Sequence, residues 1–441
     1  NSHAEAIGVR TYNYSGLTTV NNGGDIVATA ATSNPLSSSA IGVYTKNGYA
    51  THYGDTVIAN TGTITAADIS SNGAPTFHAA HGAWGAGIAA VGTYGNFDIG
   101  NAGSIVASAR SAYFDNSGLT TANGISAISK VGSVARTLTL GDISLVNGAT
   151  GSISASAESS IGTGVATFAS GLDGLVTVGS YGSGLVSTLH GITIDNEGNV
   201  LTSAITDVAA TGAATAIGVS AMNGSAQGYA KIINKGIVAS RANSASVANA
   251  TGVLATASDI TISLSAAGNI VATATGASGA ATGLSASGAT IVANNAGFLG
   301  ASFVGSGGAA YGAQLTSPAA LAFTNTGNIV ASADNAVGVD LASTTATTLT
   351  NSGTISAASS SRSGVAVLTG ASSDTINNSG TVTGTLQTGD GDDNFANTIG
   401  GVWNAAGTSD FGAGDDSLSN AGTIHLNNSA ISFGSDPVGT E

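Results

Sequence analysis

The amino-acid sequence predicts an all-β protein, a right-handed parallel β-helix (solenoid) of about 12 to 15 rungs. Three observations lead to this prediction. A short phrase, Asn-x-Gly-x-Ile or Val, recurs along nearly the whole chain. A second phrase, a Gly followed by an aliphatic residue, precedes most copies of the first. Glycine also interrupts every apolar segment within a turn or two, which leaves no long amphipathic helix.

The Asn-x-Gly phrase predicts a corner followed by a strand with one inward face. Gly permits the positive φ of a tight corner, and Asn tolerates the left-handed region. The alternation after the corner places Ile64, Ile105, Ile329 and Ile355 inward, one above another. Asn side chains at equivalent corners are expected to form a hydrogen-bonded ladder along the axis. The phrase begins at Asn22, Asn60, Asn101, Asn196, Asn234, Asn325, Asn351, Asn378 and Asn420, and copies around Gly151 and Gly268 lack the Asn.

The Gly-aliphatic phrase marks a second strand in each repeat, as in Ile41-Gly42-Val43 and Ile217-Gly218-Val219, and leaves room for a third. Strands stacked at the β-sheet spacing give a rod about 60–70 Å long. The longest intervals between corner glycines, such as Gly103 to Gly151, must hold either protruding loops or an extra rung. Both alternatives remain open at this point.

The repeats divide the chain into three predicted segments. Residues 1–115 form N-terminal rungs with loops rich in aromatic residues and His, and residues 116–380 form a central stalk. Residues 381–441 form short C-terminal rungs with acidic Gly-Asp turns.

Composition bounds the class of protein. The 441 residues are 42% hydrophobic and only 7% charged, which favours many short strands over disorder. The net charge of −15 argues against a nucleic-acid partner, because phosphates require Lys and Arg. The absence of cysteine suits passage through an oxidising compartment. We expect no transmembrane segment, since no run of about 20 residues is uninterruptedly apolar.

The corner phrases between Asn22 and Ile424, together with the Ala/Gly/Thr/Ser/Asn background, resemble the passenger regions of Gram-negative type V secreted proteins. This group comprises autotransporter adhesins and filamentous-haemagglutinin-like proteins. The resemblance implies a secreted or cell-surface β-helix, anchored at the outer membrane through a region outside this segment. It also implies a role in adhesion, aggregation or biofilm formation and in virulence. The expected partner is a protein or glycan on a host or neighbouring cell, or another copy of the chain.

Acidic turns near the C-terminus are the best-defined local feature. Asp390, Asp392 and Asp393 recur one repeat later as Asp415 and Asp416, each group within a Gly-x-Gly-x-Asp-x-hydrophobic phrase. Facing carboxylates in adjacent turns could bind calcium, which takes oxygen ligands. The alternative is a plain solvated corner, because the repeat is longer than the nine residues of calcium-binding β-rolls.

Aromatic and His residues concentrate near the N-terminus. Rings on loops could stack against a sugar or a partner surface, or could instead pack under a loop. These candidate surface-binding residues are Tyr44, Tyr49, His52, Tyr53, His78, His81, Trp84 and Tyr94.

The sequence predicts no catalytic residue and no enzyme. There is no cysteine nucleophile and no Gly-x-Ser-x-Gly phrase, and the charges are scattered. Two alternatives to an adhesive, non-enzymatic passenger remain. One is a self-assembling extracellular matrix or surface-layer component, and the other is a β-helical carbohydrate-active enzyme.

Overall fold

The computed structural model describes residues 4–32, 38–47, 54–70, 83–92, 95–111, 119–131, 141–159, 166–178, 191–206, 212–225, 227–359 and 364–434. These residues form strands and turns only, so the all-β prediction is confirmed. The parallel β-helix is confirmed as well, because every strand pairs in parallel with the strand three places along the chain.

The strands follow one another in a fixed three-part cycle. The first eighteen are β1 (Ala4–Asn13), β2 (Thr18–Asn22), β3 (Asp25–Thr32), β4 (Ser38–Asn47), β5 (Thr56–Asn60), β6 (Thr63–Ser70), β7 (Ala83–Gly92), β8 (Phe97–Asn101), β9 (Ser104–Ser111), β10 (Leu119–Val131), β11 (Ile143–Asn147), β12 (Ser152–Ser159), β13 (Ala166–Val178), β14 (Gly191–Asn196), β15 (Asn199–Thr206), β16 (Ala213–Asn223), β17 (Tyr229–Asn234) and β18 (Ile237–Asn243). The next twelve are β19 (Val247–Thr256), β20 (Asp259–Leu264), β21 (Asn269–Thr275), β22 (Ser278–Ser287), β23 (Thr290–Asn295), β24 (Phe298–Val304), β25 (Gly307–Ser317), β26 (Leu321–Asn325), β27 (Asn328–Ser332), β28 (Asn335–Ser343), β29 (Thr347–Asn351) and β30 (Thr354–Ala358). The last ten are β31 (Val365–Thr369), β32 (Thr375–Asn378), β33 (Thr381–Thr383), β34 (Thr385–Gln387), β35 (Asn394–Asn397), β36 (Val402–Ala405), β37 (Thr408–Asp410), β38 (Ser417–Asn420), β39 (Thr423–Leu426) and β40 (Ala430–Ser432).

Three sheets run along the rod. Sheet A contains β1 and every third strand through β40, and has 14 strands. Sheets B and C start at β2 and β3 and have 13 strands each. The described residues therefore make 13 rungs and the first strand of a further one, within the predicted range.

Each long sequence interval holds a single rung. The interval from Gly103 to Gly151 is an example, because β9 pairs directly with β12 and leaves no place for another rung between them. The additional residues of that interval include 112–118 and 132–140, which lie outside the described residues. The extra-rung alternative is therefore wrong for this interval.

The corner Asn residues form the ladder that the sequence predicts. At each step Nδ2 of one Asn donates to Oδ1 of the Asn on the next rung, at 2.7–2.9 Å. Leu264 takes the equivalent position on β20 and divides the ladder into two runs. The runs are Asn22, Asn60, Asn101, Asn147, Asn196 and Asn234, followed by Asn295, Asn325, Asn351, Asn378, Asn397 and Asn420.

The structure corrects the sequence analysis at the degenerate corner around Gly151. This corner does contain a ladder residue, Asn147, but its turn is lengthened and is closed by a hydrogen bond from the Gly151 N–H to the Gly148 carbonyl, 2.7 Å. The phrase was missed because the Asn lies four residues before the Gly instead of two.

The expected role of positive φ at the Asn-x-Gly corners is wrong. Gly62 and the glycines at the equivalent corners do not have positive φ. Among the described residues other than glycine, only Asn428 has a positive φ. Glycine is needed for space instead. A Cβ on Gly62 would collide with the carbonyl oxygen of Gly24 on the preceding rung.

The core has two compartments of different width. The wider one contains the predicted inward column, in which Ile64, Ile105, Ile329 and Ile355 are fully buried, so that prediction is confirmed. The narrower one is lined almost entirely by alanines such as Ala109. Sheet A bends between them at a column of glycines, where a Cβ on Gly42 would lie 2.7 Å from the Gly87 carbonyl oxygen. This narrow compartment explains the abundance of Ala in the sequence.

We expect the Asn351→Ala variant to lose about 1–3 kcal/mol of unfolding free energy. The substitution leaves the side-chain Nδ2 of Asn325 and the side-chain Oδ1 of Asn378 without their ladder partner. Denaturant unfolding followed by circular dichroism measures the change. Asn377→Ala, one residue from Asn378 and on the outward side of β32, is the control and should unfold like the parent. Equal losses in the two variants would contradict a stabilising ladder.

Candidate functional site

The outer face of sheet A carries an aromatic patch at its N-terminal end, formed by Arg10, Tyr12, Tyr44 and Trp84. The Tyr12 and Tyr44 rings meet edge to face with centroids 5.9 Å apart. The Arg10 guanidinium lies 5.8 Å from both ring centroids, within cation–π range, and also pairs with Glu5. Tyr12 is 59% exposed, so its ring remains available to a partner.

The bend of sheet A builds this patch. The glycine column reverses which residues point inward, so that Ala40 and Val43 both face the core while Ile41 faces outward. Tyr44 and Trp84 pack from outside against an apolar cluster of Ile41, Ala86 and Ala89. Burial, followed by the neighbouring Tyr12, raises the pKa of Tyr44, whereas Arg10 lowers it.

Two of the eight predicted surface-binding residues, Tyr44 and Trp84, are therefore in one patch. The other six, Tyr49, His52, Tyr53, His78, His81 and Tyr94, lie outside the described residues. Arg10 and Tyr12 were missed by the sequence analysis. The parallel pairing of β1 with β4, which places Arg10 beside Tyr44, brings them into the patch.

The predicted calcium residues form two rows, one that faces solvent and one that faces the interior of the rod. Asp390, Asp392 and Asp415 are exposed. The Asp415 N–H donates to Asp392 Oδ1 at 2.9 Å, and Asp55, Asn96 and Asp142 make the same kind of rung-to-rung bond near the N-terminus. At this exposed acidic corner, backbone amides of one rung donate to side-chain oxygens of the preceding rung at the surface of the rod.

Asp393 and Asp416 instead join Asp374 in a second row that faces the interior, which we term the inward acidic column. Asp374 and Asp393 are each 1% exposed. The Thr347 N–H donates to Asp374 Oδ1 at 2.7 Å, the Asp374 N–H to Asp393 Oδ1 at 2.8 Å, and the Asp393 N–H to Asp416 Oδ1 at 2.9 Å. The column continues the inward positions of Leu321 and Thr347, so carboxylates replace the apolar lining of the last rungs.

Sequence reasoning missed Asp374 because no Gly-x-Gly phrase precedes it. A signal was present in the spacing. Asp374, Asp393 and Asp416 each lie four residues before a ladder Asn, namely Asn378, Asn397 and Asn420. Counting back from the ladder would have placed all three in one row.

Burial raises the pKa of all three carboxyls in the inward acidic column. For Asp393 it raises the pKa to about 7; the charges of Asp374 and Asp416 act in the same direction. The Thr388 hydroxyl and the Asp374 N–H oppose this rise without cancelling it. Among the described residues, no three His, Cys, Asp or Glu side chains converge on a common point where a metal ion could bind.

The pKa of Asp393 predicts a pH-dependent stability in metal-free buffer. The folded chain retains a proton that the unfolded chain, with an ordinary Asp pKa of 3.8, releases, so the contribution of Asp393 to stability falls as pH rises from about 4 to about 7. Asp393→Asn imitates the protonated form. Relative to the parent, the melting temperature of this variant should increase by a few degrees between pH 5 and pH 8.

The exposed Asp392→Asn variant is the control for this measurement, because it removes the adjacent carboxyl that is not buried, and its change with pH should be smaller than that of Asp393→Asn. A melting-temperature difference between Asp393→Asn and the parent that does not vary with pH would contradict the prediction.

Comparison with known proteins finds no matching family model, no similar curated protein and no similar solved structure. Among the described residues, no helix is long and apolar enough to cross a membrane.

Proposed function

We propose that the chain is the non-enzymatic, adhesive stalk of a secreted or cell-surface protein, which contacts a partner surface through the aromatic patch. The single observation that carries the proposal is the patch itself, with an exposed Tyr12 ring beside Arg10 and Tyr44. Tyr, Trp and Arg supply most of the binding energy in many protein interfaces. A rung stack that presents such a patch, and that resembles type V passengers in sequence, suits adhesion to a protein or glycan on another cell.

The placement of buried acids supports a non-enzymatic role. Asp173 and Asp340 share an outward column of sheet A, and burial raises the pKa of both carboxyls. Their rungs are five steps apart, or about 24 Å at the β-sheet spacing. Glycosidases hold their two carboxyl groups within about 5–9.5 Å of each other. These two acids therefore do not form a general acid–base pair of that kind.

Binding of the labelled chain to a glycan array and to intact epithelial cells tests the adhesive role. We expect Tyr12→Ala and Tyr44→Ala together to weaken binding about tenfold or more, since aromatic anchors dominate such contacts. Val27→Ala removes an exposed side chain from sheet C near the same end of the rod and should bind like the parent. No binding by the parent to either probe, or equal loss in the Val27→Ala control, would argue against the patch.

Self-assembly into an extracellular matrix or surface layer is a second candidate function. Val304 is exposed on sheet C within residues 260–333, which contain no charged side chain. Few charges then oppose lateral contact between rods there. Size-exclusion chromatography over a range of concentrations should show association that Val304→Lys reduces, with Thr65→Lys on the same sheet as the control. A monomer at every concentration would exclude this candidate.

A further inference from the structure

The oxygen atoms of the inward acidic column are incompletely satisfied. Each of Asp374, Asp393 and Asp416 accepts a backbone N–H through Oδ1, while its Oδ2 is buried without any hydrogen-bond partner. Thr347 occupies the same position on the rung before Asp374 and is 1% exposed. Its hydroxyl is also buried without a hydrogen-bond partner. Four successive rungs thus present an unpaired oxygen in one column.

The contrast with the Asn ladder shows what is missing. An amide has both a donor and an acceptor, so each ladder residue satisfies the next. An ionised carboxylate has acceptors only, so a column of carboxylates cannot satisfy itself. The missing partner must be positively charged or must supply a proton.

Among the described residues, no Lys or Arg acts on the three carboxyls of the column. After Arg362 the sequence contains nine acidic residues and no Lys or Arg. The neutral groups beside the column are the hydroxyls of Thr369, Ser372 and Thr388, of which Ser372 donates to Asp374 Oδ1 at 3.3 Å. The charged groups that act on it are further acids such as Asp392, Asp410 and Asp415. Buried carboxylates without a charged partner are strongly destabilising.

The spacing of the column suits one class of ligand. Successive rungs are about 4.8 Å apart, so an ion midway between two stacked oxygens lies about 2.4 Å from each. Calcium binds oxygen at about 2.3–2.6 Å, whereas magnesium requires about 2.0–2.1 Å and an octahedral cage. A column lined by carboxylate and hydroxyl oxygens on consecutive rungs therefore matches calcium.

We propose that the inward acidic column binds calcium between successive rungs, with the Oδ2 atoms of Asp374, Asp393 and Asp416 as carboxylate ligands and Thr347 or Thr388 contributing a hydroxyl. Because the carboxylates lie in line, each ion takes its carboxylate ligands from two adjacent rungs. This site differs from the one that the sequence suggests, since Asp374 belongs to it and the exposed Asp390, Asp392 and Asp415 do not. It is independent of the adhesive role.

Calorimetric titration of calcium chloride into the chelator-treated chain at pH 8 tests the proposal. We expect the parent to bind calcium, to bind magnesium at least about tenfold more weakly, and to melt at a higher temperature when calcium is present. Asp393→Asn should lose the heat of binding and the calcium-dependent shift in melting temperature. Its circular dichroism spectrum and its melting in chelator establish that it is folded.

Asp392→Asn is the matched control, because it removes the adjacent but exposed carboxylate. We expect this variant to bind calcium within about threefold of the parent affinity. No heat and no melting shift in the parent at 10 mM calcium would overturn the proposal and leave protons as the neutralising species. Equal loss of binding in the Asp392→Asn and Asp393→Asn variants would also overturn it, since it would place the ion at the exposed corner.

Discussion

Close approach between successive rungs is the constraint on which the rest of this structure depends. At each Asn-x-Gly corner the chain passes so near to the preceding rung that Gly62 has no room for a methyl group over Gly24. The hydrogen bond from the Thr63 N–H to the Gly24 carbonyl, 2.9 Å, fixes the register at that point. Once one corner is aligned, the period of two along each strand decides which side chains enter the core.

Columns of identical chemistry follow from this alignment. Residues at equivalent positions lie above one another, so each column must be compatible with itself along the rod. Aliphatic residues meet the requirement by packing, as Ile329 and Ile355 do, and Asn residues meet it by hydrogen bonding. The inward acidic column is the exception, because like charges repel and carboxylates have no donor to share. A column whose residues cannot satisfy one another is therefore a candidate position for a ligand.

Much of the fold could be predicted from the sequence because the repeat records the column positions. Ile64 and Ile355 were placed correctly from alternation alone, and the ladder from the recurrence of Asn. The role of the corner glycines was misjudged, since a steric contact between rungs cannot be distinguished from a backbone requirement in a single sequence. The candidate sites were harder to predict. Arg10 joins Tyr44 only through strand pairing, and Asp374 joins Asp393 in a row that becomes visible only when positions are counted back from the ladder Asn residues.

The interruption of the Asn ladder at Leu264 has a mechanical consequence. Because the hydrogen bonds between rungs run along the axis, a tensile force applied to the two ends loads the rung boundaries in series. The bonds within one boundary share the load in parallel. The boundaries on either side of Leu264 each lack the side-chain bond that Asn234 makes with Asn196 and that Asn295 makes with Asn325. Under tension, these two boundaries thus rely on main-chain bonds without the ladder bond that reinforces the boundaries on either side of them.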